Sequence, residues 1–164
     1  MNKKPDRLQV LRTVTNNFKK STKMKLTIIF FFIISLIASS DLKAQTEIEL
    51  IQKALLDYIE GTANGEPDRV RNAFHKDLKL YHIANDSLIV WSGENYVNNI
   101  TTGKKSNRIG RIVSIDYDND AANAKIEIIM PDLKRLYTDY LLLLKYEDKW
   151  KIIHKSFTYV DYPK

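Results

Sequence analysis

The fold is decided by two adjoining stretches, RLYTDYLLLLKY from Arg135 to Tyr146 and WKIIHKSFTY from Trp150 to Tyr159. Both are rich in apolar and aromatic residues, and the intervening residues 147–149 are turn formers, so they predict a β-hairpin. Apolar residues occur on both faces of this hairpin, whereas a strand buried on one side alternates. We expect helices to cover one face and a second copy of the chain to cover the other, with loops or the C-terminal tail as the alternative cover.

The remaining elements lie on the N-terminal side of this hairpin. Helical periodicity and end signals predict helices at 46–63, from Pro67 through Phe74, and from Gly93 to about Thr101. Alternation and turn residues predict four further strands, at Leu78–Ala84, Leu88–Trp91, Arg108–Tyr117 and Ala121–Met130. Helices followed by an antiparallel meander are typical of an α+β domain.

The first 44 residues differ in charge from the rest. They carry nine Lys and Arg against two acidic residues, whereas residues 45–164 carry seventeen against eighteen. A nearly neutral domain lacks the basic surface that nucleic-acid binding requires. Lys23-Met24-Lys25, the apolar run Leu26–Ala38 and the ending Leu42-Lys43-Ala44 predict a cleavable signal peptide. We expect Met1 or Met24 as the start, and an exported domain at 45–164 in the periplasm or secreted.

The apolar run is thirteen residues long. A helix needs roughly 20 to span a bilayer, so we expect no stable membrane anchor after cleavage. The chain contains no cysteine and only three histidines, at 75, 82 and 154, without metal-ligand spacing. No phosphate-binding or dinucleotide-binding glycine pattern is present. The sequence therefore predicts no metal site and no cofactor.

Several segments carry a resemblance to a known family, namely Tyr58–Gly61, Ala73–His75, Tyr137–Leu144 and Trp150–Phe157. Together with the order of elements, they make residues 46–160 resemble the putative lumazine-binding family, a SnoaL-like branch of the nuclear transport factor 2-like superfamily. The resemblance implies a cone-shaped fold with about three N-terminal helices on a curved, mostly antiparallel sheet. It supplies no universal catalytic motif. In related ketosteroid isomerases and scytalone dehydratases, an Asp or His inside the cone acts as a base.

Strand alternation gives candidate site residues in the closing hairpin. A two-residue turn within 147–149 places Asp139 and His154 on one face, opposite or one diagonal step apart. A carboxylate beside an imidazole orients a base and shifts its pKa, which makes this pair the candidate catalytic group. A buried structural hydrogen bond is the alternative interpretation, and we favour it. Tyr58, His82, Trp91 and Tyr137 are candidate ligand-binding residues, although such aromatic clusters are more often core.

The sequence therefore predicts an exported domain that binds a small apolar or aromatic molecule and forms a homodimer. The first alternative is a cofactor-free isomerase, dehydratase or hydrolase-like enzyme that uses the Asp139–His154 pair. The second is a non-enzymatic dimerisation module with a filled core. The sequence names neither the ligand nor a reaction.

Overall fold

The computed structural model describes residues 46–162, so the predicted signal peptide and its cleavage site lie outside the described residues. The helices are α1 at 46–64, α2 at Pro67–Ala73 and α3 at Gly93–Asn98. The strands are β1 (Phe74–Ala84), β2 (Ser87–Ser92), β3 (Ile109–Asp118), β4 (Ala121–Met130), β5 (Arg135–Tyr146) and β6 (Lys149–Asp161). A short 3₁₀ helix, Pro131–Leu133, precedes β5. The predicted α+β class is confirmed.

The strands form one six-stranded sheet in the order β2-β1-β6-β5-β4-β3. All neighbours are antiparallel except β1 and β6, which pair in parallel. This parallel pair brings the first and the last strand of the sheet together. As a result β6 lies inside the sheet, and its side chains have neighbours on two sides.

Turn residues form two of the tight hairpins as predicted. Asn85 and Asp86 between β1 and β2, and Glu147 and Asp148 between β5 and β6, all have positive φ. Two consecutive residues in this region make the turn that matches the natural twist of paired strands. Ser92 caps α3 by accepting a hydrogen bond from the backbone N–H of Asn95 at 3.1 Å.

The core lies between α1 and the inner face of the sheet. Ile51 and Leu55 of α1 are fully buried in the same cluster as Leu141 and Leu143 of β5. At Gly110 of β3 an added Cβ would lie 2.4 Å from a side-chain carbon of Ile59, so α1 can approach β3 closely only because that residue is glycine.

The opposite, outer face of the sheet is apolar and exposed along β5, where Tyr140, Leu142 and Leu144 are 52%, 48% and 41% exposed. Exposed Leu88 and Val90 of β2 extend the apolar surface. The predicted two-sided apolar character of the hairpin is therefore present. None of the helices within residues 46–162 is both long and apolar enough to cross a bilayer.

Candidate functional site

A cavity of about 660 Å³ lies at one side of the inner sheet face. This volume falls within the range of small-molecule sites, about 300–1,000 Å³. Its walls combine aromatic rings with a few charged side chains. The lining residues are Tyr58, His82, Ile83, Ala84, Asn85, Trp91, Tyr96, Arg108, Ile128, Met130, Arg135, Tyr137, Asp139, Lys155, Phe157, Thr158 and Tyr159.

A buried polar triad of Tyr58, Asp139 and Lys155 forms the inner end of the cavity. Lys155 Nζ lies 2.7 Å from Asp139 Oδ2. The Tyr58 hydroxyl donates to the same carboxylate oxygen at 2.9 Å and accepts from Lys155 Nζ at 2.5 Å. Asp139 is 0% exposed and Lys155 5%. The triad joins α1, β5 and β6 through a charge pair that is out of contact with bulk water.

The environment of the triad keeps Tyr58 protonated. Burial first, and then the negative charge of Asp139, raise the pKa of the Tyr58 hydroxyl well above its usual value of about 10. Lys155 also faces the rings of Tyr58 and Phe157, with its Nζ 4.9 Å and 4.8 Å from their centroids. Contacts of this kind between a cation and the faces of aromatic rings are attractive. Tyr58 is thus a neutral hydrogen-bonding group and Lys155 a fixed cation.

The predicted pairing of Asp139 with His154 is wrong, because β6 contains a bulge. The hairpin starts in the predicted register, with Lys145 opposite Trp150, but the register shifts between Leu143↔Ile152 and Leu142↔His154, so that Ile153 is unpaired. One extra residue moves every later side chain to the other face. Asp139 is therefore opposite Phe157.

The bulge places Lys155 on the inner face and His154 on the outer face. His154 is opposite Leu142. Its ring stacks on Tyr81 of β1, with the centroids 4.8 Å apart. The carboxylate that was expected to orient an imidazole instead binds an ammonium and a phenol.

The four candidate ligand-binding residues all line the one cavity. Tyr58 belongs to the buried triad, whereas His82, Trp91 and Tyr137 form an aromatic wall together with Phe157. The His82 ring stacks on Phe157 at 4.6 Å and meets Trp91 edge-on at 5.3 Å. Tyr137 lies 6.2 Å from Phe157. This wall offers ring faces and edges to a planar ligand.

Three buried polar atoms of the lining lack a hydrogen-bond partner within the described chain, namely His82 Nδ1, Arg108 Nε and Asp139 Oδ1. Buried polar groups in proteins are nearly always hydrogen-bonded to protein or to ordered water. Their presence around one cavity therefore indicates a site for a polar partner. In the region from 46 to 162, no group of three or more His, Asp or Glu is placed to hold a metal ion.

Sequence reasoning missed the cations of the site. An unbroken hairpin register places Lys155 and Phe157 on the face opposite Asp139, and Arg108 is marked only as the first residue of a strand. Phe157 was misplaced by the same register error as Lys155, while Tyr96 sits in the short helix α3 without any distinguishing pattern. The sequence contained one signal of the bulge. The side chains of Trp150, Ile152, Lys155 and Phe157 lie on the same face of the strand only if one residue between Ile152 and Lys155 is left out of the alternation.

The fold matches solved structures described as nuclear transport factor 2-like proteins of unknown function. The one from Silicibacter pomeroyi has a TM-score of 0.64 at 15% identity, with 71% of this chain and 98% of that chain covered. The one from Methylobacillus flagellatus has a TM-score of 0.62 at 26% identity, covering 70% and 93%. A third, from Shewanella baltica, has a TM-score of 0.61 at 23% identity, covering 73% and 96%.

No functionally curated protein matches the sequence. Residues 46–158, which include five strands, most of β6 and the whole cavity lining except Tyr159, match the family described as putative lumazine-binding. The resemblance drawn from the sequence is thereby confirmed. The chain belongs to the putative lumazine-binding family, within the nuclear transport factor 2-like fold.

Proposed function

We propose that this domain binds a small aromatic molecule in the 660 Å³ cavity, which the sheet encloses as the cone expected for this superfamily. The observation that carries the proposal is that the residues lining one cavity combine an aromatic wall with three buried polar atoms that have no partner in the described chain. A filled structural core can contain an aromatic cluster, but it rarely leaves several buried polar atoms without a partner, because burying an unpaired polar group is costly. The family description, which names an aromatic heterocycle, supports the same ligand class.

The position of the two tryptophans allows a direct test. Trp91 lies in the cavity wall, whereas Trp150 is buried away from it and donates a hydrogen bond to Glu47 at 2.9 Å. A library of small aromatic compounds is screened by thermal shift on the purified protein. A ligand at about 100 times its Kd adds about 2.7 kcal/mol of stability, which corresponds to a rise in Tm of roughly 10 °C.

Each hit is then titrated while tryptophan fluorescence is recorded in the wild type and in Trp91→Phe. A ligand in the cavity changes the emission of the wild type but not that of the variant, which retains only Trp150. Equal changes in both proteins would place the ligand elsewhere. If no compound in the library binds, the domain is better described as a dimerisation module, and the proposal is rejected.

Asp139 Oδ1 favours a second candidate function, a cofactor-free isomerase or dehydratase. Asp139 lines the cavity, and its Oδ1 has no partner in the described part of the chain, which makes this oxygen the candidate acceptor of a proton from a bound ligand. The base is Asp139 alone, and His154 plays no part. Turnover of a bound ligand that is lost in Asp139→Asn, with the Kd unchanged, would establish catalysis. Turnover unaffected by this substitution would reject it.

We also propose a homodimer through the outer sheet face. Six strands spaced about 4.8 Å apart, with about ten residues each at about 3.3 Å, present a face of roughly 800 Å². A stable interface needs about 800 Å² from each partner. The exposed apolar residues Tyr140, Leu142 and Leu144 run through the middle of this face. In a dimer with a two-fold axis, the same surface patch of both copies forms the interface, so an apolar sheet face can be covered by the same face of a second copy.

The last part of the proposal is that the protein is exported. The charged, apolar and small-residue order of residues 23–44 supports cleavage after Ala44. N-terminal sequencing of the protein from its native host tests it. A chain that starts at Gln45 is the expected result, and a retained Met1 or Met24 in the cytosolic fraction would contradict it.

A further inference from the structure

Three cations line the cavity, and carboxylates pair with only two of them. Lys155 is 2.7 Å from Asp139, and Arg135 at the rim is 3.1 Å from Asp161. These four groups therefore form two ion pairs. Arg108 is the remaining charged residue of the lining, and no carboxylate of residues 46–162 lies within ion-pair distance of it.

The hydrogen-bond partners of Arg108 are weak. Nη1 donates to the Tyr96 hydroxyl at 3.5 Å and Nη2 to the sulfur of Met130 at 3.7 Å, whereas Nε has no partner. Burial lowers the pKa of Arg108, but Tyr96 and the charge of Asp139 outweigh it and raise the pKa above the usual arginine value. A guanidinium offers five donors in a planar fork, so Arg108 is a half-buried cation with donors to spare.

The surroundings of Arg108 define what its partner must be. A buried charge is costly without a counter-charge, and a guanidinium pairs best with a planar carboxylate through two parallel hydrogen bonds. One unpaired cation calls for one negative charge, so a polyphosphate would leave charges unneutralised. The aromatic wall of His82, Trp91, Tyr137 and Phe157 lines the same cavity and suits a ring.

We infer that the cavity binds an organic monoanion built on an aromatic ring, with its acid group held by Arg108 and its ring against the aromatic wall. This inference rests on the proposed small-molecule function and specifies its ligand class. A neutral aromatic molecule leaves Arg108 without a counter-charge. An aromatic cation adds a like charge beside it, so both bind more weakly than the acid.

Two probes of nearly equal shape test the inference, 2-naphthoate and 2-naphthamide. Calorimetric titration of the purified protein at neutral pH gives their Kd values. We expect naphthoate to bind at least tenfold more tightly than the amide. Charge-assisted hydrogen bonds are about twice as strong as neutral ones, and this difference corresponds to about a factor of ten in the binding constant. In Arg108→Met the ratio should fall to about one, and Arg108→Lys should keep part of it.

Arg111→Met is the matched control, because Arg111 is only three residues away but faces the outer side, where it pairs with Glu127 at 2.5 Å. This variant should retain the full preference for naphthoate. Equal binding of the acid and the amide to the wild type, or a preference that survives Arg108→Met, would overturn the inference while leaving aromatic binding intact. If neither probe binds, the inference and this version of the proposed function both fail. Circular dichroism of Arg108→Met and Arg108→Lys verifies that each variant is folded.

Discussion

Replacing Asp139 by Asn removes the charge that Lys155 and Tyr58 share at the inner end of the cavity. At 2.7 Å, the attraction between Asp139 and Lys155 is about 6 kcal/mol for an effective dielectric constant of about 20. Desolvation of each ion costs several kcal/mol, so the intact pair contributes little net stability. The single substitution, however, leaves the ammonium of Lys155 buried and uncompensated. We therefore expect a loss of about 3–5 kcal/mol in the free energy of unfolding.

A loss of this size is a large part of the total stability of a domain, which is about 5–15 kcal/mol. With a urea m-value of about 2 kcal/mol per molar, it moves the unfolding midpoint down by roughly 2 M. Lys155→Met should cost a similar amount, since it leaves the Asp139 carboxylate buried. The double variant Asp139→Asn/Lys155→Met removes both charges and keeps an acceptor for the Tyr58 hydroxyl. We expect it to be more stable than either single variant.

The assay is urea unfolding followed by circular dichroism for the wild type, both single variants and the double variant. Asp68→Asn serves as the control, because Asp68 forms an exposed ion pair with Arg71 at 2.7 Å. Such surface pairs contribute about 0–1 kcal/mol. If Asp139→Asn costs no more than Asp68→Asn, or if the two single losses simply add, the residues do not form the dry charge pair described above.

Three further predictions address the triad, a turn and the outer face. In Tyr58→Phe, the free energy of unfolding should fall less steeply above about pH 10 than in the wild type. The pKa of Tyr58 is raised in the folded state, so the unfolded tyrosine ionises first and the unfolded state is favoured as pH rises. Identical slopes in urea unfolding between about pH 9 and pH 11 would contradict this. Gly65→Ala should cost about 3 kcal/mol or more, because its Cβ would lie 2.6 Å from the backbone nitrogen of Lys104 and its φ is +69°. Gly103→Ala, with a similar φ but open space around it, should cost only about 1 kcal/mol, and equal losses on thermal unfolding would refute the steric argument. Leu142→Lys should convert the proposed dimer to a folded monomer in sedimentation, since Leu142 is exposed in the single chain, whereas an unchanged sedimentation coefficient would place the interface elsewhere.

Local chemistry made most of the fold predictable. Helical periodicity gave α1, Ser92 marked the start of α3, and paired turn residues such as Asn85-Asp86 marked where strands reverse. These signals depend on residues within one or two turns of one another. The errors at element ends are small and occur where no such signal exists, as at Phe74, where α2 passes directly into β1.

The site could be predicted only in part, because its assembly depends on register. Ile152 and Ile153 are both apolar, so alternation cannot tell which of them leaves the ladder. Residues distant in sequence decide which isoleucine is unpaired, because Lys155 can be buried only where Asp139 and Tyr58 pair with its ammonium. His82 and Trp91 do line the cavity as predicted, since neither lies beyond the bulge in β6.

The parallel contact between β1 and β6 has a consequence for how the chain is made. Phe74 of β1 pairs with Ile152 of β6, and β6, which joins the β1–β2 hairpin to the rest of the sheet, is the last of the six strands to leave the ribosome. Until then β1 and β2 have no partner beyond their own hairpin, and a lone hairpin is at best marginally stable. Contacts between residues so far apart also slow folding. The six-stranded sheet therefore cannot form until β6 has been made, and the domain stays unfolded for longer than one whose sheet grows in sequence order.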